Sequence, residues 1–317
     1  VAETIANPDN VMFDRVPLSL QDSLAQGNGS VSTIASDFEV PSDWRYQLAA
    51  DVMFDISMLG NAGTDIAWTT ELIYVDRKNS AAWVDQARIK TGETVEGRTL
   101  WGSVAGRENF NDLQLTNSSD GGKSTIITTA LNKAWDSGVS VNASYTNQDI
   151  TEANPGIGTN ARSNHITDVT VNLSESVVDR AYYEIEHRFV VNIAYQHQFI
   201  SGYNTSLNVF FERRSGRPFA WTLGGNSTEF GDKSHSRGYL PYLPSGANDP
   251  AFDFSQLTYD DTMVIANAAG VNEYAGEYIP KNVGTQPWLT TMDLAITQEL
   301  PGLLEGHKGQ LYFIIDN

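Results

Sequence analysis

Two long runs of strictly alternating residues, joined by one tight turn, restrict this chain more than any other feature. Between Glu186 and Thr222, Phe189, Val191, Ile193, Tyr195 and Phe199 fall on one face of an extended segment, and Arg188, Asn192, Ala194, Gln196 and Gln198 on the other. A repeat of two marks a strand with two different environments. After Ser201-Gly202-Tyr203-Asn204 the pattern resumes, with Leu207, Val209 and Phe211 opposed to Ser206, Asn208 and Glu212. Each run is about twice the ~5 to 6 residues usual for a strand in a water-soluble protein. It matches the ~9 to 11 residues that a tilted strand needs to cross a bilayer. The pair reads as a membrane-spanning β-hairpin.

The same reading along the chain predicts strands at 44–56, 64–76, 123–135, 139–149, 186–199, 205–222, 288–300 and 310–317. They pair as four hairpins with short turns, and Asp136-Ser137-Gly138 is typical in supplying the positive φ that a tight turn needs. Between the hairpins lie long connections without sustained period, at 1–43, 77–122, 150–185 and 224–286. Short turns at one end, long loops at the other, an apolar outer band and aromatic girdles describe an outer-membrane barrel. Trp44, Tyr46, Tyr74, Tyr145, Phe189 and Trp288 fall toward the long loops, and Phe54, Trp135, Phe199 and Tyr203 toward the turns. Lys133 shares a face with Leu131 and Trp135, so on a lipid-facing surface its ammonium must snorkel to the interface. The expected fold class is all-β, a transmembrane antiparallel barrel, with a soluble β-sandwich as the alternative that also alternates.

Composition narrows the partners. The chain has 20 basic and 39 acidic residues, a formal charge of −19, which disfavours nucleic acid. It has no cysteine, so disulfides and thiolate metal sites are excluded. No apolar run approaches the ~18 residues of a membrane helix.

The residues Glu186-His187-Arg188-Phe189, Ser215-Gly216-Arg217-Pro218-Phe219, Pro287-Trp288 through Asp293-Leu294, and Phe38 to Trp44 resemble the C-terminal barrel of Oar-like TonB-dependent receptors. The resemblance runs from about Phe38 onward and is most specific between Glu186 and Phe219. It implies a piece of a larger plugged barrel of about 22 strands, with the plug, the N-terminal domain and the TonB-contacting segment outside residues 1–317 and closing strands after Asn317. The implied setting is the bacterial outer membrane, with the bilayer, lipopolysaccharide and TonB as partners. The implied mechanism is capture of an unidentified substrate by loops and plug, then TonB-driven displacement of the plug. Eight strands also suffice to close a small barrel alone, but the loops are large relative to the strands, which favours the larger barrel.

Candidate site residues follow from the alternation. Asp51, Glu71, Asn142, Gln196, Gln198, Asn208, Glu212 and Asp293 are expected to face the lumen, where they wet the interior and hold a plug or guide a polar substrate. Arg213, Arg214 and Arg217 cluster in sequence at the loop end of a strand and suit an anionic group or a loop carboxylate. Phe252, Phe254, Tyr259, Tyr274 and Tyr278 are candidates for ligand contact from the longest loop. Asp249, Asp253, Asp260 and Asp261 in the same loop are candidate Ca²⁺ ligands, by ligand type rather than by EF-hand spacing.

No enzyme is expected. His165, His187, His197, His235 and His307 fall into no zinc-type spacing and no Ser-His-Asp arrangement, and Glu184 and Glu186 read as solvated carboxylates rather than a catalytic pair. Two other functions stay open beside transport: an outer-membrane adhesin or structural surface protein acting through its loops, and a soluble carbohydrate-binding β-protein.

Overall fold

The computed structural model describes residues 29–223, 230–232, 238–304 and 306–317. In chain order the strands are β1 (Ser32–Ile34), β2 (Ser42–Phe54), β3 (Ile66–Lys78), β4 (Ala81–Asp85), β5 (Arg88–Glu93), β6 (Thr99–Ser103), β7 (Leu113–Asn117) and β8 (Lys123–Ala134). There follow β9 (Val139–Glu152), β10 (Asp179–Arg180), β11 (His187–Ile200), β12 (Tyr203–Arg214), β13 (Pro218–Phe219), β14 (Gly284–Thr285), β15 (Leu289–Pro301) and β16 (Lys308–Ile315). Among the described residues, two α-helices, α1 (Ala161–Ile166) and α2 (Tyr259–Ala269), lie in the long connections. No helix among the described residues is long and apolar enough to cross a membrane.

Eight long strands lie side by side in the order β2-β3-β8-β9-β11-β12-β15-β16, with β10 added to the end of β9. All their pairings are antiparallel, so the sheet is a meander whose neighbours in space are neighbours in sequence once the long connections are set aside. The sheet is open: β2 and β16 form opposite edges and do not pair with each other. A strand of 13 residues such as β2 is about 43 Å long at ~3.3 Å per residue.

Directly opposed residues share a face, so the registers show how the faces continue across strands. One row runs Val52, Trp68, Leu131, Ala143, Val191, Phe211, Met292 through seven strands. Another runs Val141, Ile193, Val209, Leu294, Ile315. The other face carries rows such as Asn132, Asn142, Asn192. Apolar residues on the first face are exposed, Leu48 to 71%, Met292 to 50% and Phe313 to 54%.

The hairpin turns explain why the pairing is held in register. Gly138 adopts φ +87°, and a Cβ there would come within 2.0 Å of the Gln196 carbonyl oxygen. That space is needed because Gln196 N–H donates to the Gly138 carbonyl at 2.9 Å. Lys133, on the apolar face, donates from Nζ to the Thr64 carbonyl at the turn end, and lies 5.9 Å from the Trp135 ring. Trp135 Nε1 donates to the Ala62 carbonyl at 3.0 Å.

Three corrections to the sequence reading concern the connections. The strand expected over 205–222 ends at Arg214; Ser215 to Arg217 leave the sheet, and β13 pairs instead with β14. The stretch 77–122 holds four strands: β4 pairs β7, which also takes β1 in parallel, and β5 pairs β6. The stretches 150–185 and 224–286 contain α1 and α2. These strands escaped notice because they are about five residues long, too short for a period to declare itself. The first 28 residues of the stretch 1–43 lie outside the described residues.

The connections fold on one another at one end of the sheet. They hold nearly all the buried apolar residues, including Leu113, Ile166, Leu173, Tyr239 and Leu240, and a cluster of Leu243, Ala266, Val271 and Ile279. In the eight long strands the buried apolar side chain is Ile150, near the loop end of β9.

Candidate functional site

The polar face of the sheet carries many chemistry-bearing side chains on one surface. An open trough of about 560 Å³ crosses seven strands there, from β3 to β16, lined by Asn132, Asn142, Asn192, Asn208 and Asp293 among others. It exists because each strand contributes every second residue to the same side. Asn142 Nδ2 donates to Asn132 Oδ1 within the row.

Seven of the eight residues expected to face inward lie on this face by register, and Gln198 falls where the register shifts. Thr69 Oγ1 donates to Asp51 at 2.7 Å, and Gln47 Nε2 donates to Glu71. Gln196 and Asn208 sit on the same side of neighbouring strands, opposite Ser206 and Ala194. Gln198 lies in the irregular stretch between His197 and Ile200 and donates to Asn204 at 3.1 Å. Glu212 accepts from Arg188 Nε at 2.5 Å, and Asp293 accepts from the Asn317 N–H at 3.3 Å. The sheet brings them to one surface without gathering them at one point.

The arginine trio separates. Arg213 and Arg214 are consecutive in β12 and so point to opposite faces. Arg213 is on the apolar face, its guanidinium 5.4 Å from the Trp288 ring. Arg214 is on the polar face beside Glu212, and Arg217 follows the strand, its carbonyl accepting from the Gln286 N–H at 3.0 Å. Arg188, not part of the trio, is the direct cross-strand partner of Arg214.

The loop candidates have structural work. Tyr274 packs against the Leu243 cluster. Tyr278 rests against Tyr242 at 5.7 Å and against the Arg98 guanidinium at 5.0 Å. Phe252, Phe254 and Tyr259 form a chain of ring contacts at 4.9 Å and 6.2 Å, half-buried.

The four aspartates proposed as calcium ligands do not assemble. No group of three or more His, Asp or Glu side chains placed to hold a metal occurs among the described residues. Asp249 is buried and accepts from Ser245 N–H at 2.7 Å, Ser245 Oγ at 2.8 Å, Ala251 N–H at 2.9 Å and Tyr242 OH at 2.9 Å. Those donors, the backbone N–H groups first, hold its carboxyl down to about 2. Asp253 accepts from Ser255 N–H and Oγ, Asp261 from Thr258 Oγ1, and Asp260 lies in the first turn of α2, where negative charge suits the helix dipole. Turn and cap hydrogen bonds engage the carboxylates of Asp249, Asp253 and Asp261.

His165 Nε2 lies 3.3 Å from Ser174 Oγ, but its Nδ1 has no partner to orient the ring. Burial lowers its pKa to about 4, which makes it a weak base. Glu184, expected to be solvated, is buried, accepting from Ile150 N–H at 2.6 Å and Arg180 Nε at 2.6 Å. Glu186 takes Arg180 at 3.0 Å. His187 is held by Tyr145 OH at 2.9 Å and stacked on Trp288 at 6.0 Å. His235 lies outside the described residues.

Sequence reasoning missed the groups that tie the connections together. Arg98 is buried and donates to the carbonyls of Val171 and, at 2.7 Å, Leu240, while Phe230 lies 4.4 Å from its guanidinium. Its partners are 73 and 142 residues away, a distance at which no local pattern carries a signal. Comparison of the chain with protein-family models, with curated proteins and with solved structures returned no match.

Proposed function

We propose that this chain forms part of the wall of a β-barrel in the bacterial outer membrane, and that the barrel is a TonB-dependent receptor of Oar-like type, moving a substrate across that membrane with energy supplied through TonB. The observation that carries the membrane part is the inverted burial of the sheet. Its continuous apolar face carries exposed apolar side chains on six of the eight long strands and half-buried ones on β9 and β12, while the buried apolar residues lie almost entirely in the connections. In water such a face forms an apolar patch far larger than the few hundred Å² that monomers expose. In a bilayer it is covered by acyl chains, and the polar face lines a wet interior. The two open edges need further strands in that setting, since lipid does not satisfy backbone groups. The transport part rests on the Oar-like residues between Glu186 and Phe219.

The connections also favour a second reading. They form a joined layer with its own apolar cluster, which suits an adhesin or surface protein acting through its loops. Fractionation of the native polypeptide with an intact-mass measurement tests the first part: recovery from the outer membrane, at a mass several times 34.8 kDa, is expected of a plugged receptor. Recovery from a soluble fraction would overturn the membrane reading. Deleting TonB separates the two functions, because energised uptake stops and adhesion survives.

A further inference from the structure

We infer that Arg188 and Arg214 form a binding site for a small oxyanion, a carboxylate or phosphate, at the long-connection end of the polar face. The two residues are direct cross-strand partners in β11 and β12. Like charges so opposed repel and destabilise a sheet unless an anion lies between them. One carboxylate serves both. Glu212 accepts from Arg188 Nε at 2.5 Å, but its other oxygen is 3.9 Å from Arg214 Nε, beyond hydrogen-bond reach.

The next acid on that side does not supply the balance. Glu186, two residues before Arg188, is engaged by Arg180 at 3.0 Å and lies 3.3 Å from His187 Nε2. The pair therefore keeps one positive charge in excess, in a chain with 39 acidic and 20 basic residues. Both guanidiniums are reachable, with side-chain exposures of 48% for Arg188 and 29% for Arg214. The Arg214 side chain makes no hydrogen bond among the described residues, so its forked donors are available. Such a fork matches a carboxylate or phosphate with two parallel N–H···O bonds. Thr146 and Thr291 occupy neighbouring register positions on the same face, as partners of Arg188 and Glu212, and the Thr146 hydroxyl lies 3.2 Å from that of Thr128.

The site goes beyond the transport reading and needs only that the polar face be wet. A failed binding experiment leaves the fractionation result standing, and a soluble chain would still expose the pair. The test is calorimetric titration of the full chain, in detergent micelles, with inorganic phosphate and separately with succinate at constant ionic strength. Saturable binding of at least one probe is expected, weakened tenfold or more by Arg214→Gln and by a smaller factor by Arg214→Lys, which keeps the charge but not the fork. Glu212→Gln removes the internal competitor and is expected to tighten binding several-fold, whereas in a purely structural ion triad it would only loosen the fold. Absence of saturable binding by both the unaltered chain and Glu212→Gln would overturn the site, as would equal binding by Arg214→Gln.

Discussion

Lys281 and Asp168 lie 2.5 Å apart, both buried, and join two connections across 113 residues of chain. Burial raises the Asp168 pKa, with Lys281 opposing the shift, so desolvation and pairing are in direct competition there. Removing one partner leaves the other charged and alone. Lys281→Ala is expected to destabilise the connection layer by about 3 to 5 kcal/mol, while a paired replacement such as Lys281→Met with Asp168→Leu costs far less. Denaturant titration of the single and double variants checks this, and equal losses would refute it.

Arg98 does for three connections what Lys281 does for two. Its charge is satisfied by carbonyls and held against the Phe230, Tyr239 and Tyr278 rings. Arg98→Lys keeps the charge but loses the planar stack and the fork, so a loss of about 2 kcal/mol or more is expected. Faster proteolytic cleavage within 150–185 and 238–286 would report it.

The buried His165 gives the layer an acid limit. Its pKa falls from 6.5 to about 4, by burial, with Asp85 pulling the other way. Between these values the unfolded chain takes up a proton that the folded chain refuses. Stability is therefore intact above pH 6.5 and declines as pH falls toward 4, by up to on the order of 3 kcal/mol. Unfolding midpoints measured across that range should lose most of this slope in His165→Gln, and an unchanged slope would place the titration elsewhere.

The two faces can be separated by neighbouring substitutions. Ile193 lies mid-strand on the apolar face and Asn192 beside it on the polar face. If the apolar face meets acyl chains, Ile193→Lys costs about 2 to 4 kcal/mol and lowers outer-membrane assembly, as found for cations near the bilayer midplane. Asn192→Lys is expected to assemble normally. Comparable assembly of both variants would count against lipid on the apolar face.

Gly138 is irreplaceable for a local reason. With φ +87° and no room for a Cβ beside Gln196, Gly138→Ala is expected to destabilise by roughly 2 kcal/mol through backbone strain alone, and more if the Gln196 bond to Gly138 is lost. The unfolding midpoint checks it, and Gly106, which has open space around it at φ +79°, serves as the comparison.

The positions of the eight long strands were legible because alternation is a local property. The apolar set Phe189, Val191, Ile193 and the polar set Arg188, Asn192, Ala194 can separate only in an extended chain between two unlike environments. The same logic placed Asp51, Glu71, Asn142, Gln196, Asn208, Glu212 and Asp293 on one face. It failed at Arg213 and Arg214, where proximity in sequence was read as a cluster although consecutive strand residues diverge. It failed also for Asp249 and Glu184, whose oxygens are claimed by nearby backbone N–H groups that a composition count does not see.

The eight long strands, their pairing as four hairpins and their two faces were thus legible in the sequence alone, because a period of two and a glycine at a tight turn act over a few residues. The tertiary structure alone decided how the long connections fold. Arg98 finds Leu240, and Lys281 finds Asp168, across gaps that no local propensity spans. Such pairs form only when the sheet has aligned its strands and brought the ends of the connections together. Their energies depend on burial and on which partners arrive, not on the residues taken one at a time.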